Sequence, residues 1–301
     1  MWHSSTAITA TPRGAMSVSD ESPFTEPFRL MRYPVHRVHS AYCHRCPVGL
    51  KLESCHIECV QQLEGLLADR GARIAAVIVE PLLQGAGGMI VHPVEFLKQV
   101  HSLCIRHDVL LIADEVLTGF GRTGKMFACD LANVAPDLMC VSKGITGGFL
   151  AMGVTLCSDR VESAFRTDNR AHTFYHGHSY TGNTLACAAA NENLRIFDDE
   201  PVFDRISAIA RIHGERLGQL REMHQVGDIR QIGAVGALEL RAGDAGYLSA
   251  MRPKLYQFFL ERGVLLRPLG NVVYVLPPYV IEPAQLHRVY DVIAEAIETL
   301  L

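Results

Sequence analysis

The chain has 301 residues, a net charge of −4 and 49% hydrophobic residues, which is typical of a folded protein with one or two domains. It contains no basic run of the kind that follows a phosphate backbone, so nucleic acid is not an expected partner. No apolar stretch approaches the roughly 20 residues that a membrane helix needs, and no apolar leader is visible. We therefore expect a cytoplasmic protein with no membrane partner.

Hydrophobic patterning predicts alternating strands and helices over the first two thirds of the chain. Residues 19–47 are rich in Pro, Ser, His and Arg and predict a long surface loop. Short apolar runs without alternation indicate strands buried on both faces, whereas apolar residues three or four apart indicate amphipathic helices. The predicted strands are 74–79, 109–113, 138–141 and 151–157, and the predicted helices are 57–69, 93–107 and 184–197. Strand, helix and strand in this order predict a parallel sheet with helical crossovers.

The pattern changes near residue 200, where a second domain is expected to begin. The predicted elements beyond that point are a helix at 202–222, a strand at 233–241, a helix at 246–261, short strands, and a last helix at 283–300. We therefore predict a large α/β domain over residues 1–198, with a mostly parallel central sheet and flanking helices. A smaller α+β domain is predicted over residues 199–301.

The nine cysteines fall into two groups. Five are scattered through predicted core elements and indicate small buried side chains, namely Cys104, Cys129, Cys140, Cys157 and Cys187. The other four have the spacing C-x2-C-x8-C-x3-C, at Cys43, Cys46, Cys55 and Cys59. Thiolate pairs of this kind suit a tetrahedral zinc site, but the eight-residue gap is shorter than usual. A cysteine-rich loop in a reducing compartment is the other interpretation, so we assign no metal ligands from the spacing alone.

Two of the predicted strands end in ionisable groups. The first is followed by Asp114, and the second by Ser142 and Lys143. In open α/β sheets the ligand crevice lies at the carboxyl ends of the strands. A lysine that is partly desolvated there has a lowered pKa and can form a Schiff base with a carbonyl group. Pyridoxal phosphate enzymes pair such a lysine with an acid on the pyridinium nitrogen, so Lys143 and Asp114 are candidate catalytic residues.

Simpler interpretations of the same residues remain open. Asp114 could cap a turn, and Lys143 could be a solvated charge at a strand end. Residues 119–125, G-F-G-R-T-G-K, have the spacing of a nucleotide-binding loop. However, Met126 stands where that loop needs Ser or Thr, which disfavours a kinase or ATPase function.

Four motifs, in the same order along the chain, resemble the class III, fold-type I pyridoxal phosphate aminotransferases. They are I-V-E-P-L-L-Q-G-A-G-G-M at 78–89, A-D-E-V-L-T-G-F-G-R-T-G-K at 113–125, S-K-G-I-T-G-G at 142–148 and H-G-H-S-Y-T-G-N at 176–183. The resemblance begins at Gly14 and continues to the end of the chain. It implies a fold-type I transferase fold and pyridoxal 5'-phosphate as the cofactor.

Within that family, one C-terminal motif is most similar to members that act in biotin synthesis. The motif is R-P-L-G-N-V-V-Y-V-L-P-P-Y at 267–279. Those members convert 8-amino-7-oxononanoate to 7,8-diaminononanoate, with S-adenosylmethionine or lysine as the amino donor. The resemblance implies that Arg267 binds the substrate carboxylate and that Tyr274 contacts the substrate.

The resemblance implies roles for residues near both ends of the cofactor. Lys143 would bind the cofactor, contact the substrate and carry the proton, while Asp114 would contact the ring nitrogen. His178 and Ser179 would hold the cofactor phosphate, and Gly177 would lie along the substrate. In the family this segment reaches in from the neighbouring subunit, so a homodimer is implied.

Some family features are not found in this sequence. Upstream of Gly14 the family carries an aromatic residue that covers the pyridoxal ring, and further upstream a Gly-Ser turn that binds the phosphate. Neither is recognisable here, so we expect a family member that lacks its N-terminal portion. The alternatives to the biotin reaction are therefore another class III ω-amino acid aminotransferase and a catalytically inactive homologue.

Overall fold

The computed structural model describes residues 2–4, 13–22, 24–241 and 249–301. The strands in chain order are β1 (Trp2–Ser4), β2 (His36–Val38), β3 (Ala76–Val79), β4 (Leu83–Gln84), β5 (Ile90–Val91), β6 (Leu110–Asp114), β7 (Leu138–Val141), β8 (Val154–Cys157), β9 (Val226–Ile232), β10 (Val235–Leu240) and β11 (Val272–Val275). The α-helices are α1 (Arg13–Val18), α2 (Gln61–Arg70), α3 (Val94–Arg106), α4 (Ala128–Ala132), α5 (Asp159–Glu162), α6 (Thr184–Asp199), α7 (Val202–Leu220), α8 (Met251–Glu261) and α9 (Pro283–Leu300).

The chain divides into two compact units. The first comprises Met1–Leu82, His92–Phe120 and Phe127–Glu200, and the second comprises Leu83–Val91, Gly121–Met126 and Pro201–Leu301. Two short segments from the first part of the chain, Leu83–Val91 and Gly121–Met126, therefore belong to the second unit. Among the helices of the described residues, none is both long and apolar enough to cross a membrane.

The main sheet of the first unit has the strand order β3-β6-β7-β8. Strands β3, β6 and β7 are parallel, with Val79 opposite Ala113 and Asp114 opposite Cys140. Their carboxyl ends therefore lie at one edge of the sheet. Strand β8 was predicted only as a further strand, and it joins this sheet antiparallel to β7. The sheet is thus mostly parallel, with one antiparallel strand at its edge.

Helix α3 shows why the sequence folds in this way. Its apolar residues recur with helical spacing, and Phe96, Leu97 and Val100 are almost completely buried. On the opposite side of the helix, Ile105 is 67% exposed.

The prediction that β6 would be buried on both faces was wrong, because alternate residues of this strand are only half-buried. One face of the strand packs against the core, and the other is incompletely covered.

The predicted loop at 19–47 contains more regular structure than expected. It includes a 3-10 helix at Glu26–Met31 and the short strand β2, which pairs with β1 in parallel. The glycine-rich segment after β3 also differs from a simple loop, because β4 and β5 form an antiparallel hairpin around it. Patterns of two or three residues are too short for a period to be recognised in the sequence.

The second unit is built on an antiparallel sheet with the strand order β11-β10-β9. Helices α7, α8 and α9 contribute its largest buried side chains, which include Phe259 and Tyr290. Strand β9 was not predicted, because the apolar residues of V-G-D-I-R-Q-I stand three apart and do not alternate. The predicted start of the helix at Gly246 lies outside the described residues, and the last helix begins at Pro283 and ends at Leu300 as predicted.

A buried histidine in the second unit makes the free energy of unfolding depend on pH. The Nδ1 atom of His213 is hydrogen-bonded to the hydroxyl of Tyr290 at 2.5 Å, and burial lowers the pKa of His213 to about 4. Between pH 6.5 and pH 4 the unfolded chain binds a proton that the folded chain excludes. Stability is therefore lost as the pH falls through that window, by up to about 3 kcal/mol.

We expect His213→Gln to weaken this pH dependence but not to remove it, because burial also lowers the pKa of His92 to about 4. Urea denaturation at several pH values between 4 and 7 would give the free energy of unfolding for both proteins. The exposed His172 provides a matched control, because His172→Gln should leave the pH dependence of the wild type unchanged. An equally steep loss of stability in His213→Gln would contradict the assignment.

Candidate active site

Asp114 is the last residue of β6 and lies at the carboxyl edge of the main sheet. Its side chain is half-buried, and its Oδ1 atom accepts a hydrogen bond from the backbone N–H of Val116 at 3.2 Å. Burial raises the pKa of this carboxyl group, while the Val116 N–H and the positive charge of Lys143 act in the opposite direction. The two predicted catalytic residues therefore lie close enough for their charges to interact.

Lys143 begins a 3-10 turn, Lys143–Thr146, directly after β7. Its backbone has a φ of 41°, in the left-handed region that non-glycine residues seldom adopt. Such conformations cost free energy and are found mostly where the surrounding structure imposes them, often at functional sites. Lys143 is exposed in the single chain, and the expected partial desolvation of its amine stays a prediction.

The turn that carries Lys143 is held by a residue that the sequence analysis missed. Asn193, on α6, donates hydrogen bonds from Nδ2 to the carbonyl oxygens of Gly144 at 2.9 Å and Ile145 at 3.2 Å. A Cβ atom on Gly144 would lie 3.0 Å from the ring of Phe120, so a larger residue would push this turn away. Asn193 is separated from the turn by about 50 residues in the sequence, and its only local signal is a polar residue within a helix.

We expect Asn193→Ala to destabilise the lysine turn and to lower activity without removing a reacting group. Two hydrogen bonds would be lost, at about 0.5–1.5 kcal/mol each. Thermal denaturation and steady-state kinetics would measure both effects. Glu192, the exposed neighbour on α6, pairs with Arg195 on the surface, so Glu192→Ala serves as the control and should change little. Equal behaviour of the two variants would contradict the role of Asn193.

Glu115 fixes the end of β6 next to Asp114. Its carboxylate is buried and accepts hydrogen bonds from the hydroxyl of Thr118 and from the backbone N–H groups of Ala128 at 3.0 Å and Cys129 at 2.8 Å. Burial raises the pKa of Glu115, and these hydrogen bonds oppose that shift. The carboxylate thus holds the start of α4 against the strand end. Glu115 is a structural acid, while its neighbour Asp114 is the one near the lysine.

The segment 176–183 leads into α6. Gly177, His178 and Ser179 are all exposed. The backbone N–H of His178 donates to the hydroxyl of Thr181 at 2.9 Å, and the backbone N–H of Tyr180 donates to His178 Nδ1 at 3.1 Å. These local hydrogen bonds give the segment a defined turn.

His178 also lines an open groove of about 730 Å³ together with Ser142, Met152 and Thr181. His178 and Ser142, which precedes Lys143, therefore line the same groove of the single chain. Gly177 and Ser179 are not among the residues that line this groove.

Arg267 and Tyr274 belong to the second unit. Arg267 is exposed, and Tyr274 is half-buried in β11, where it lies opposite Ala237 of β10. Their predicted contacts with a substrate stay predictions.

Arg122 lies in the segment 119–125 that has the spacing of a nucleotide-binding loop. Its guanidinium group donates to the carbonyl oxygen of Pro277 at 2.7 Å and lies 4.5 Å from the ring centre of Tyr279. A cation held in this way by the protein itself is not presented to a phosphate, which weighs against the nucleotide-loop interpretation.

The residues at the sheet edge suit a flat ligand with two different ends. The carboxylate of Asp114 can accept a proton or hydrogen bond from a ring nitrogen, and the amine of Lys143 can react with an aldehyde. The charge of Lys143 lowers the pKa of Asp114, which supports the assignment of both residues to one site. Such an arrangement can hold a protonated heterocycle and can move a proton at the lysine end.

Comparison with known proteins gives a consistent result. The family model for class III aminotransferases matches residues 11–297. The chain is 40% identical over 294 residues to the adenosylmethionine-8-amino-7-oxononanoate aminotransferase of Geobacter sulfurreducens, covering 95% of this chain and 65% of that protein. The enzyme of the same name from Synechococcus elongatus is 40% identical over 287 residues, covering 95% of this chain and 66% of that protein. The chain thus spans somewhat less than two thirds of the length of these curated relatives.

Solved structures agree with this comparison. The adenosylmethionine-8-amino-7-oxononanoate aminotransferase of Methanocaldococcus jannaschii superposes with a TM-score of 0.89 at 32% identity, covering 99% of this chain and 67% of that one. A pyridoxal-phosphate-bound amine transaminase from an uncultivated Pseudomonas species gives a TM-score of 0.89 at 29% identity, covering 99% and 69%. The predicted fold-type I α/β fold is confirmed by these superpositions. The family model and the identities together establish that this chain belongs to the class III aminotransferases.

Proposed function

We propose that the protein formed by this chain transfers an amino group to 8-amino-7-oxononanoate and produces 7,8-diaminononanoate, with pyridoxal 5'-phosphate as its cofactor. The observation that carries the proposal is the pairing of Asp114 and Lys143 at the carboxyl edge of the main sheet, where the charge of the lysine acts on the carboxyl group. The names of the curated relatives supply the substrate. A cytoplasmic location remains a prediction from the sequence.

The proposed mechanism assigns separate tasks to the two residues. When bound, the cofactor supplies an aldehyde that links to amines and a ring that accepts electrons from the substrate Cα. Lys143 would hold the cofactor through its amine, and the same amine would hold and move the proton at the substrate Cα. Asp114 would keep the ring nitrogen protonated, because a carboxylate stabilises an adjacent positive charge. Both amino-group transfers use the same two residues.

The remaining predicted residues bind the ends of the ligands. Arg267 binds the substrate carboxylate, since its planar guanidinium can form two parallel hydrogen bonds with it. Tyr274 contacts the substrate chain, and Gly177 leaves room beside it. His178 and Ser179 hold the cofactor phosphate from a second subunit, so the functional protein is proposed to be a homodimer. The exposure of residues 176–183 in the single chain supports that role, because an exposed segment is available to a partner.

The amino donor is the sharpest test of the substrate assignment. Purified protein would be incubated with pyridoxal 5'-phosphate and 8-amino-7-oxononanoate, and with either S-adenosylmethionine or lysine as donor. Mass spectrometry would detect 7,8-diaminononanoate, and we expect it with one of the two donors. If the protein binds the cofactor but forms no product with either donor, the proposed substrate is wrong.

Transamination of a different ω-amine is the second candidate function. It is favoured by the likeness to solved amine transaminases, such as the Pseudomonas protein at 29% identity. Ornithine and 4-aminobutyrate would be assayed in parallel as donors with a small keto acid as acceptor. Turnover of these amines by Arg267→Ala, together with loss of 8-amino-7-oxononanoate turnover, would separate the two activities. A protein that shows no cofactor absorbance at all would instead be an inactive homologue.

A further inference from the structure

Four cysteines that the aminotransferase reaction does not use lie around one cavity of the first unit. Cys43 begins the 3-10 turn Cys43–Arg45, Cys46 follows that turn, and Cys59 lies in a second 3-10 turn, Glu58–Val60. Cys55 lies between the two turns. All four line the same cavity, and none of them forms a disulfide. The other residues lining it are Ala41, Tyr42, Pro47, Leu50, Lys51 and Ile57.

The backbone near Cys55 is shaped around its sulfur atom. The N–H of Ile57 donates to Cys55 Sγ at 3.3 Å, and Ile57 has a φ of 67°. A β-branched residue in the left-handed region is strained, and such strain persists mostly at sites that require a particular geometry. Backbone hydrogen bonds to sulfur are among the contacts that orient cysteine ligands around metals and tune their basicity.

The first pair of cysteines is followed by a tight turn. The N–H of Gly49 donates to the carbonyl oxygen of Cys46 at 3.1 Å, and Gly49 has a φ of 73°, which a glycine adopts without a steric penalty. This turn reverses the chain after C-x2-C, so that Cys43 and Cys46 face the same cavity as the later pair. Both cysteine pairs are thus placed by specific backbone turns.

We propose that Cys43, Cys46, Cys55 and Cys59 bind one zinc ion. Thiolates are the preferred ligands of structural zinc, and four of them complete a tetrahedral shell. The cavity offers about 10 Å³ at its centre, roughly the volume that holds a single water-sized particle. Four thiols release four protons when they bind the ion, which leaves a net charge of −2 on the cluster. Lys51 lines the same cavity and offsets part of that charge.

Zinc binding requires the side chains to turn toward the centre of the cavity. No three His, Cys, Asp or Glu side chains of the described residues stand in a coordination geometry as they are. A cysteine side chain has a single rotatable bond to its sulfur, so rotation about that bond is the movement available to each ligand. In a structure-forming role the ion would join the chain before residue 47 to the start of α2.

The zinc content of the purified protein tests the proposal. Inductively coupled plasma mass spectrometry of the full chain should find about one zinc ion per chain, and the double variant Cys43→Ser, Cys46→Ser should lose it. Cys157, an exposed residue in β8, provides the matched control, because Cys157→Ser should retain the zinc. Equal zinc content in the two variants would overturn the assignment of these ligands.

A second measurement decides the matter even if the double variant fails to fold. Wild-type protein stripped of metal by a chelator would be titrated with Co²⁺, and we expect the intense absorbance of tetrahedral cobalt bound to thiolates after one equivalent. Thiols would be counted with a disulfide reagent in denaturant. Nine reactive thiols with neither zinc nor a cobalt spectrum would show a cysteine-rich loop only, and a count lowered by two or four would show disulfides. Either result would overturn the proposal.

Discussion

Lys143→Ala is expected to abolish transamination and to remove the absorbance band of lysine-bound pyridoxal phosphate. The amine is proposed both to bind the cofactor and to transfer the proton, and proton transfer by a positioned group contributes about 10²–10⁴-fold to a rate. No other residue in the described turn 143–146 carries an amine. Absorbance spectra and product assays on the purified variant would measure the two losses.

A matched control separates this effect from the general loss of a surface charge. Lys98 is an exposed lysine on α3 that pairs with Glu95 at 3.8 Å on the protein surface. Lys98→Ala should therefore keep the full activity and the absorbance band. Activity and absorbance retained in Lys143→Ala would show that another group binds the cofactor, and the central assignment would be wrong.

Asp114→Asn is expected to lower activity strongly while leaving the protein at least as stable as the wild type. Burial raises the pKa of Asp114, so the charged form is disfavoured in the folded chain and costs stability at neutral pH. Asn removes that charge and can still accept the hydrogen bond from the N–H of Val116. The neutral amide cannot stabilise a protonated ring nitrogen, and loss of one such electrostatic contact typically costs about 10²–10³-fold in rate.

The prediction is specific because Asp114→Asn should lower activity without lowering stability. Steady-state kinetics would measure the rate, and thermal denaturation would measure stability. Asp69→Asn is the control, because Asp69 is exposed and its ion pair is with the neighbouring Arg70 on the surface. A large loss of stability in Asp114→Asn, with activity lost in proportion, would indicate a structural role for the carboxylate. Unchanged activity would contradict its proposed role at the ring nitrogen.

Much of the first unit could be predicted because its strands are short, apolar and followed by ionisable residues. Strand β7 was predicted with its observed bounds, Leu138–Val141, and helix α3 to within one residue at each end. Once β6 and β7 are parallel neighbours, the register that places Asp114 opposite Cys140 brings Asp114 and Lys143 to the same edge. Local patterns are enough for this step, because each run of apolar residues carries its own signal.

Other features depend on contacts between distant parts of the chain. The direction of β8 depends on its pairing with β7, and β9 is held by its neighbour β10 although its own apolar residues do not alternate. No local pattern predicts that Asn193 anchors the lysine turn, because the two segments are about 50 residues apart. The exposure of Lys143 in the single chain is set in the same way, since exposure depends on what packs around a side chain.

The amino-acid sequence therefore specifies which chemical groups stand at the ends of the strands and which family the motifs resemble. The folded chain decides how those groups are held: Asp114 half-buried beside a backbone N–H, Lys143 in a strained turn, and four cysteines around one cavity. The physical reason is the range of the interactions. Hydrophobic periodicity acts over a few neighbouring residues, whereas burial, hydrogen bonds and electrostatic fields depend on segments that meet only after folding.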